Sequence, residues 1–156
     1  MGDVFATILL VALGLLLVSA GIEDARKREI ANWKNATIAC LAPLWWIATG
    51  LSPWPDMALL LLSGVVVFAL FALAFHFGMM GGGDVKMLGA LALWLPLQPL
   101  VWLLILMSLI GGVLTIIMMI EHRWRKSESP LEIPYGVAIA IAAIVVFYQP
   151  NLNHFG

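Results

Sequence analysis

Residues 57–86 read MALLLLSGVVVFALFALAFHFGMMGGGDVK, an apolar run from Met57 to Phe77 that gives way to Gly81-Gly82-Gly83-Asp84. A transmembrane helix needs about 20 consecutive apolar residues, and Met57–Phe77 meets that requirement. Five more apolar segments share the chain: Val4–Ile22, Ala36–Leu51, Val85–Leu95, Leu100–Ile120 and Ile133–Tyr148. Val85–Leu95 is short and closed by Pro96 and Pro99. The segments predict an all-α polytopic membrane protein of six transmembrane helices, the fourth short, in one bundle.

Composition agrees with that class. Of 156 residues, 63% are hydrophobic and 11% charged, with a mean hydropathy of +1.03. Soluble domains carry about 25% charged residues. One cysteine, Cys40, lies inside an apolar run, so the chain can form no internal disulfide and holds no Cys-x-x-Cys pair. In the middle of an apolar run a thiol usually acts as a small hydrophobe. With no linker, low-complexity tract or internal repeat, residues 1–156 read as a single membrane-embedded domain.

The basic residues set an expected orientation. All eight fall in alternate connections: Arg26, Lys27, Arg28 and Lys34 after the first span, Lys86 after the third, and Arg123, Arg125 and Lys126 after the fifth. The loops Ser52–Asp56 and Pro96–Pro99 contain none. Cytoplasmic loops collect Lys and Arg, which places both termini outside and Asp24 and Asp84 together on the cytoplasmic side. Val18-Ser19-Ala20 resembles a signal-peptide cleavage site, but Met1-Gly2-Asp3 supplies no positive charge, so the first span is expected to stay. Trp33 and Trp124 on one side, with Trp54, Trp94 and Trp102 on the other, fit interfacial belts.

Two acids at span ends then call for a reason, because ionisable residues beside or inside a membrane are costly to place. Each has an ordinary reading. Asp84 directly precedes an apolar run, where Asp is a favoured N-cap, and Asp24 is one of the charged cluster Glu23–Glu29. Gly81 and Gly83 suit a tight turn, since glycine adopts positive φ freely, and also leave room beside Asp84. Lys86 and Arg26 each follow an acid by two residues, either as positive-inside anchors or as tuning charges. His76, His122 and His154 are scattered without ligand spacing, and neither a metal nor a cofactor is expected.

Taken in order, three elements resemble the prepilin peptidases, aspartyl proteases of the Gly-x-Gly-Asp type. Asp24-Ala25-Arg26-Lys27-Arg28-Glu29-Ile30-Ala31-Asn32 is similar to the family's Asp-x-Arg-x-x-x-Ile-Pro-Asn, with Ala31 where the family commonly has proline. Gly81-Gly82-Gly83-Asp84-Val85-Lys86 is similar to Gly-x-Gly-Asp-x-Lys, and Pro134-Tyr135-Gly136 to the element that opens the last helix. The resemblance implies Asp24 and Asp84 as the catalytic pair. It also implies supporting roles for Gly81, Gly83, Lys86, Arg26, Asn32, Pro134, Tyr135 and Gly136. Two neighbouring carboxyl groups cannot both ionise, so they share a proton and act as general base and general acid.

By the same resemblance, the substrate is a pilin-like precursor, a prepilin or pseudopilin with a short basic leader ahead of a long apolar helix. It is cleaved at the cytoplasmic face of the bacterial inner membrane. Glu23, Glu29, Glu121, Glu128 and Glu132 are placed to attract such a leader. Bifunctional members also carry an amino-terminal region with paired Cys-x-x-Cys motifs and methylate the pilin. This chain shows no such motif and resembles the minimal, peptidase-only type of tight-adherence (Flp) systems, with the archaeal preflagellin peptidases similarly small. The lipid bilayer is the other expected partner, and nothing points to nucleic acid. A proton-coupled transporter or a non-catalytic pilus assembly subunit is the alternative class, set against the absence of mid-membrane acids and of an inverted repeat. Presenilin-like enzymes share Gly-x-Gly-Asp, but their Tyr-Asp and Pro-Ala-Leu elements are missing here. Reporter fusions within 52–56 and 123–126 are expected to report opposite sides of the membrane; the same side for both would dissolve the argument for a shared site.

Overall fold

The computed structural model describes residues 2–125 and 133–148, apart from the side chain of residue 125. Lys126, Glu128, Glu132 and His154 lie outside the described residues. Six helices are present among them: α1 (Gly2–Lys27), α2 (Asn32–Ala48), α3 (Ala58–His76), α4 (Gly82–Ala92), α5 (Leu97–Arg125) and α6 (Tyr135–Tyr148). A short turn, Pro53–Met57, leads into α3. The chain is an all-α, multi-pass membrane protein. Three helical segments are long and apolar enough to cross a bilayer alone: Gly2–Lys27, Pro53–His76 and Leu97–Trp124.

The bundle is apolar outside as well as inside. Along α1, Ala6, Leu9, Leu13, Leu17, Ala20 and Asp24 are buried, while Val4, Ile8, Val11, Leu15, Val18 and Ile22 are exposed. Both stripes follow the spacing of an α-helical face. The outer stripe would be unfavourable in water and suits hydrocarbon. On α3 only Leu60, Gly64 and Val67 are buried, so most of that helix faces outward.

The short helix α4 is the centre of the fold. Its 11 residues span about 16 Å at 1.5 Å per residue, well under the roughly 30 Å of hydrocarbon. Asp84, Val85 and every residue from Met87 to Ala92 are buried, enclosed by α2, α3 and α6. Around it, α1 packs on α2 and α6, and α5 packs on α6. Close approach to α3 depends on small residues: a Cβ on Gly89 would lie 3.0 Å from Cβ of Phe68, and one on Gly64 would overlap the Leu93 side chain.

Two tryptophans tie α2 to α4. The Trp94 indole N–H donates to the Ile38 carbonyl at 2.9 Å, and the Trp46 indole to the Leu93 carbonyl at 2.8 Å. The second bond satisfies a carbonyl that the end of α4 leaves without an intrahelical partner. Trp94 is wholly buried, tilted against Trp45 at 5.7 Å and edge-to-face with Phe147 at 6.4 Å between ring centroids. The expected belt therefore loses Trp94, whose polar end finds a buried carbonyl instead of the interface. Trp33, Trp54, Trp102 and Trp124 are exposed, as a belt requires.

Glycine in the left-handed region ends α2 and α3. Gly50 and Gly78 both have φ of 71°, and paired bonds return to the last turn. They run from Gly50 and Leu51 to Ile47 and Trp46, and from Gly78 and Met79 to Phe75 and Ala74. This is the Schellman arrangement, and it turns the chain from α3 toward Gly81. Packing at Gly89 generates a test: Gly89→Val is expected to destabilise the bundle by about 1–3 kcal/mol, read as a lower thermal midpoint in detergent. Gly112→Ala, which meets nothing within 4 Å, is expected to leave the midpoint unchanged.

Candidate active site

Asp24 continues the buried stripe of α1 beyond the last apolar residue, Ile22, and is 4% exposed. Helix α1 stops four residues on, where Arg28 takes a left-handed φ of 58° and its N–H bonds the Asp24 carbonyl at 2.9 Å. That conformation is uncommon for a side chain other than glycine, Asn or Asp. The Asp24 carboxylate meets the opening turn of α6, where Oδ2 accepts the Val137 N–H at 3.1 Å. Unsatisfied N–H groups and the positive end of the helix dipole favour negative charge there. A Cβ on Gly136 would lie 2.9 Å from Cγ of Asp24, so glycine is required for the carboxylate to come this close. Buried Pro134 sits immediately before α6, where a missing N–H costs little. The Tyr135 ring packs on Gly111 of α5.

Asp84 reaches the site from α4 and is 6% exposed. It is not the N-cap. Gly81 holds that position, with φ −74° and ψ 147°, and Asp84 stands three residues into the helix, its carboxylate accepting the Gly81 N–H. This is the acid half of a capping box. The glycines are not there for positive φ either, because the positive values belong to Gly50 and Gly78. Their role is clearance: a Cβ on Gly81 would sit 3.1 Å from Oδ2 of Asp84, and one on Gly83 would sit 3.3 Å from Cβ of Ile30.

Asp84 precedes the apolar run Val85–Leu95, and its carboxyl is pushed up to about 7. Burial is the first cause, and the charge of Asp24 adds to it. The Gly81 N–H pulls the other way. The two acids are thus close enough for one to make the other harder to ionise. An ionised Asp24 on the α6 terminus beside a protonated Asp84 is the arrangement this environment favours.

Further contacts draw α2 onto the same place. Lys86 Nζ donates to Asn32 Oδ1 at 2.7 Å, linking the openings of α4 and α2. Asn35 Nδ2 donates to the Gly83 carbonyl at 3.0 Å, while its buried Oδ1 has no hydrogen-bond partner among the described residues. Of the expected supporting residues, Gly81, Gly83, Lys86, Asn32, Pro134 and Gly136 thus gather around the acids, and Tyr135 braces α6. Arg26 is exposed on α1 and joins none of these contacts.

Four residues gain importance that the sequence did not give them. Asn35 is one. Glu23 is another: instead of facing solvent to attract a leader, its Oε2 pairs with Lys34 Nζ at 2.8 Å and accepts the Ala31 N–H at 3.2 Å. Lys34 is 7% exposed and also donates to the Ser19 carbonyl at 3.1 Å, which is not the solvated anchor its charge suggested. Ile30 is the fourth, buried against both Gly83 and Gly136. The available signals were an acid eleven residues ahead of a lysine and an isoleucine that fills the Ile position of the Asp-x-Arg-x-x-x-Ile-Pro-Asn pattern. Neither alone is distinctive.

Comparison with known proteins gives the family of the chain. A model of the Type IV leader peptidase family matches residues 9–116. A Prepilin leader peptidase/N-methyltransferase of Pseudomonas aeruginosa is 42% identical over 76 residues, covering 49% of this chain and 25% of that protein. Another of the same description from Xanthomonas campestris pv. campestris is 39% identical over 72 residues, 46% of this chain and 24% of that protein. The matched stretch is therefore only about a quarter of either relative's length. No solved structure matches the chain significantly. The family match runs from the middle of α1 through most of α5 and takes in both acids, and with more than half of its residues covered the chain belongs to the type IV leader peptidase family.

Proposed function

We propose that this chain is a membrane aspartyl endopeptidase that removes the short basic leader from pilin-like precursors, with Asp24 and Asp84 as its catalytic pair. The observation that carries the reading is the convergence of these two buried carboxyl groups from α1 and α4, where the charge of Asp24 raises Asp84. Family membership supports the leader-cleaving activity. The resemblance to the small tight-adherence type supports a Flp-type prepilin or pseudopilin as substrate.

The environments of the two acids support distinct roles. Asp24, held by the α6 terminus, is the base that takes a proton from water. The resulting hydroxide equivalent attacks the scissile carbonyl carbon while Asp84 donates its proton to the carbonyl oxygen. Collapse of the tetrahedral intermediate breaks the C–N bond, and the leaving amine takes up the proton held by Asp24. Asp84 recovers the proton it lent when the carbonyl re-forms. Every step uses protons already on the pair or on water.

Location follows from the same features. The acids lie at helix ends, on the side that the basic residues mark as cytoplasmic. A precursor whose apolar helix sits in the inner membrane would present the junction with its basic leader at this depth.

The decisive variants keep shape and remove titration. Asp84→Asn retains an oxygen to accept the Gly81 N–H, and Asp24→Asn retains one for Val137, so both are expected to insert and purify like the parent. Each is expected to lose cleavage of a purified prepilin by at least about 1,000-fold, and the double variant to be no worse, since groups acting as a unit fail together. Near-parental cleavage by either variant would refute the pairing. Because Asp84 must stay protonated, the rate is also expected to fall as pH rises through about 7. A rate that climbs steadily from pH 6 to 8.5 would contradict the assignment of Asp84 as the acid.

A further inference from the structure

Only residues 28–31 separate α1 from α2, yet this link carries a side chain, Ile30, that touches the turns of both acids. A Cβ on Gly83 would meet Cβ of Ile30 at 3.3 Å, and one on Gly136 would meet Cδ1 of Ile30 at 2.7 Å. Gly83 immediately precedes Asp84, and Gly136 immediately precedes Val137, whose N–H holds Asp24. Ile30 is 7% exposed. It stands as an apolar spacer between the two carboxyl-bearing turns.

A short link with a left-handed Arg28 at its start needs an anchor to hold one side chain in so narrow a gap. The anchor is ionic. The N–H of Ala31, the next residue, donates to Glu23 Oε2 at 3.2 Å. That oxygen pairs with Lys34 at 2.8 Å, and Lys34 is fixed to the Ser19 carbonyl at 3.1 Å. Glu23 precedes Asp24 by one residue, so the latch ties the helix that carries one acid to the backbone that carries the spacer. With Lys34 buried and Glu23 partly exposed, the pair adds little net stability, because desolvation of the lysine offsets the attraction; such a pair is better suited to fixing geometry.

Ala31 makes the arrangement testable. Its φ of −58° is a value that a proline ring imposes covalently. A proline would hold the link without help, but it has no N–H to offer Glu23. With alanine, φ is free and the bond to Glu23 does the holding.

We propose that Ile30 and the Glu23–Lys34 latch are positioning residues, which set the separation of Asp24 and Asp84 through the link 28–31. The proposal rests on the catalytic reading of those two acids. It predicts a defect in turnover and not in substrate binding. It also predicts that a covalent restraint on the link can replace the latch.

The experiment measures kcat and KM for prepilin cleavage by the full chain, alongside thermal midpoints in detergent. Replacing the pair together, Glu23→Leu with Lys34→Met, leaves no unpaired buried charge. It is expected to hold the midpoint within a few degrees, lower kcat at least about tenfold and leave KM within about threefold. Adding Ala31→Pro to that double variant is expected to return kcat to within about threefold of the parent. Ile30→Ala is expected to reproduce the kcat defect, and Ile30→Val to escape most of it because it keeps Cβ branching and contact with Gly83. Parental kcat in the pair replacement, or no recovery on adding Ala31→Pro, would overturn the proposal. Asp24→Asn and Asp84→Asn run in parallel: if they are inactive while the latch variants are unaffected, only the positioning role fails. If they are active, the catalytic reading fails and takes the positioning role with it.

Discussion

Two carboxyl groups withheld from water at the ends of helices are the constraint on which this structure depends. Neither can be tolerated there without compensation, since burial penalises the charged form. The fold supplies that compensation from backbone N–H groups. Asp24 takes one from the first turn of α6, and Asp84 takes one from Gly81 at the start of its own helix. For Asp84 burial still outweighs the Gly81 N–H, and the charge of Asp24 adds to it, so its carboxyl is pushed up to about 7. Under the proposed catalytic reading, the contacts that make burial tolerable are also the ones that set the protonation of the pair.

The rest of the bundle can be understood as holding two helix starts and one helix end in register. Short α4 brings Asp84 inward because it is enclosed by neighbours and does not need to span the bilayer itself. Its position is fixed by small residues against α3 and by the indoles of Trp46 and Trp94 against α2. At the other end, Asn35, Asn32 and Lys86 join α2 to the turn before Asp84. Gly83 and Gly136 allow the final approach, and the backbone at Gly81 and Gly83 shows that clearance, not left-handed geometry, is what excludes a side chain.

Much of this was legible in the sequence. Six apolar segments, their approximate ends and the shortness of the fourth correspond to the helices of the structure, while Asp24 and Asp84 as a catalytic pair is the reading proposed above. The inward faces were not legible, and the reason is physical. In a soluble helix the buried stripe stands out against polar residues, but on α1 Leu13 faces protein and Leu15 faces lipid with the same side chain. For the same reason Trp94 read as an interfacial anchor when it is a core residue. Glu23 and Lys34 read as solvated charges because their pairing spans a turn whose shape no local pattern announces. The N-terminal position of Asp84 was misread by three residues, since glycine serves as N-cap without any side chain to mark it.

The central claim is that Asp24 and Asp84 share one electrostatic site. Infrared difference spectroscopy can follow the protonated carboxyl band of Asp84 as pH is varied, with Asp84→Asn identifying the band. The account predicts a titration near 7 in the parent and a clearly lower one in Asp24→Asn, where the neighbouring charge is gone. An Asp84 band whose titration does not move when Asp24 is neutralised would contradict it.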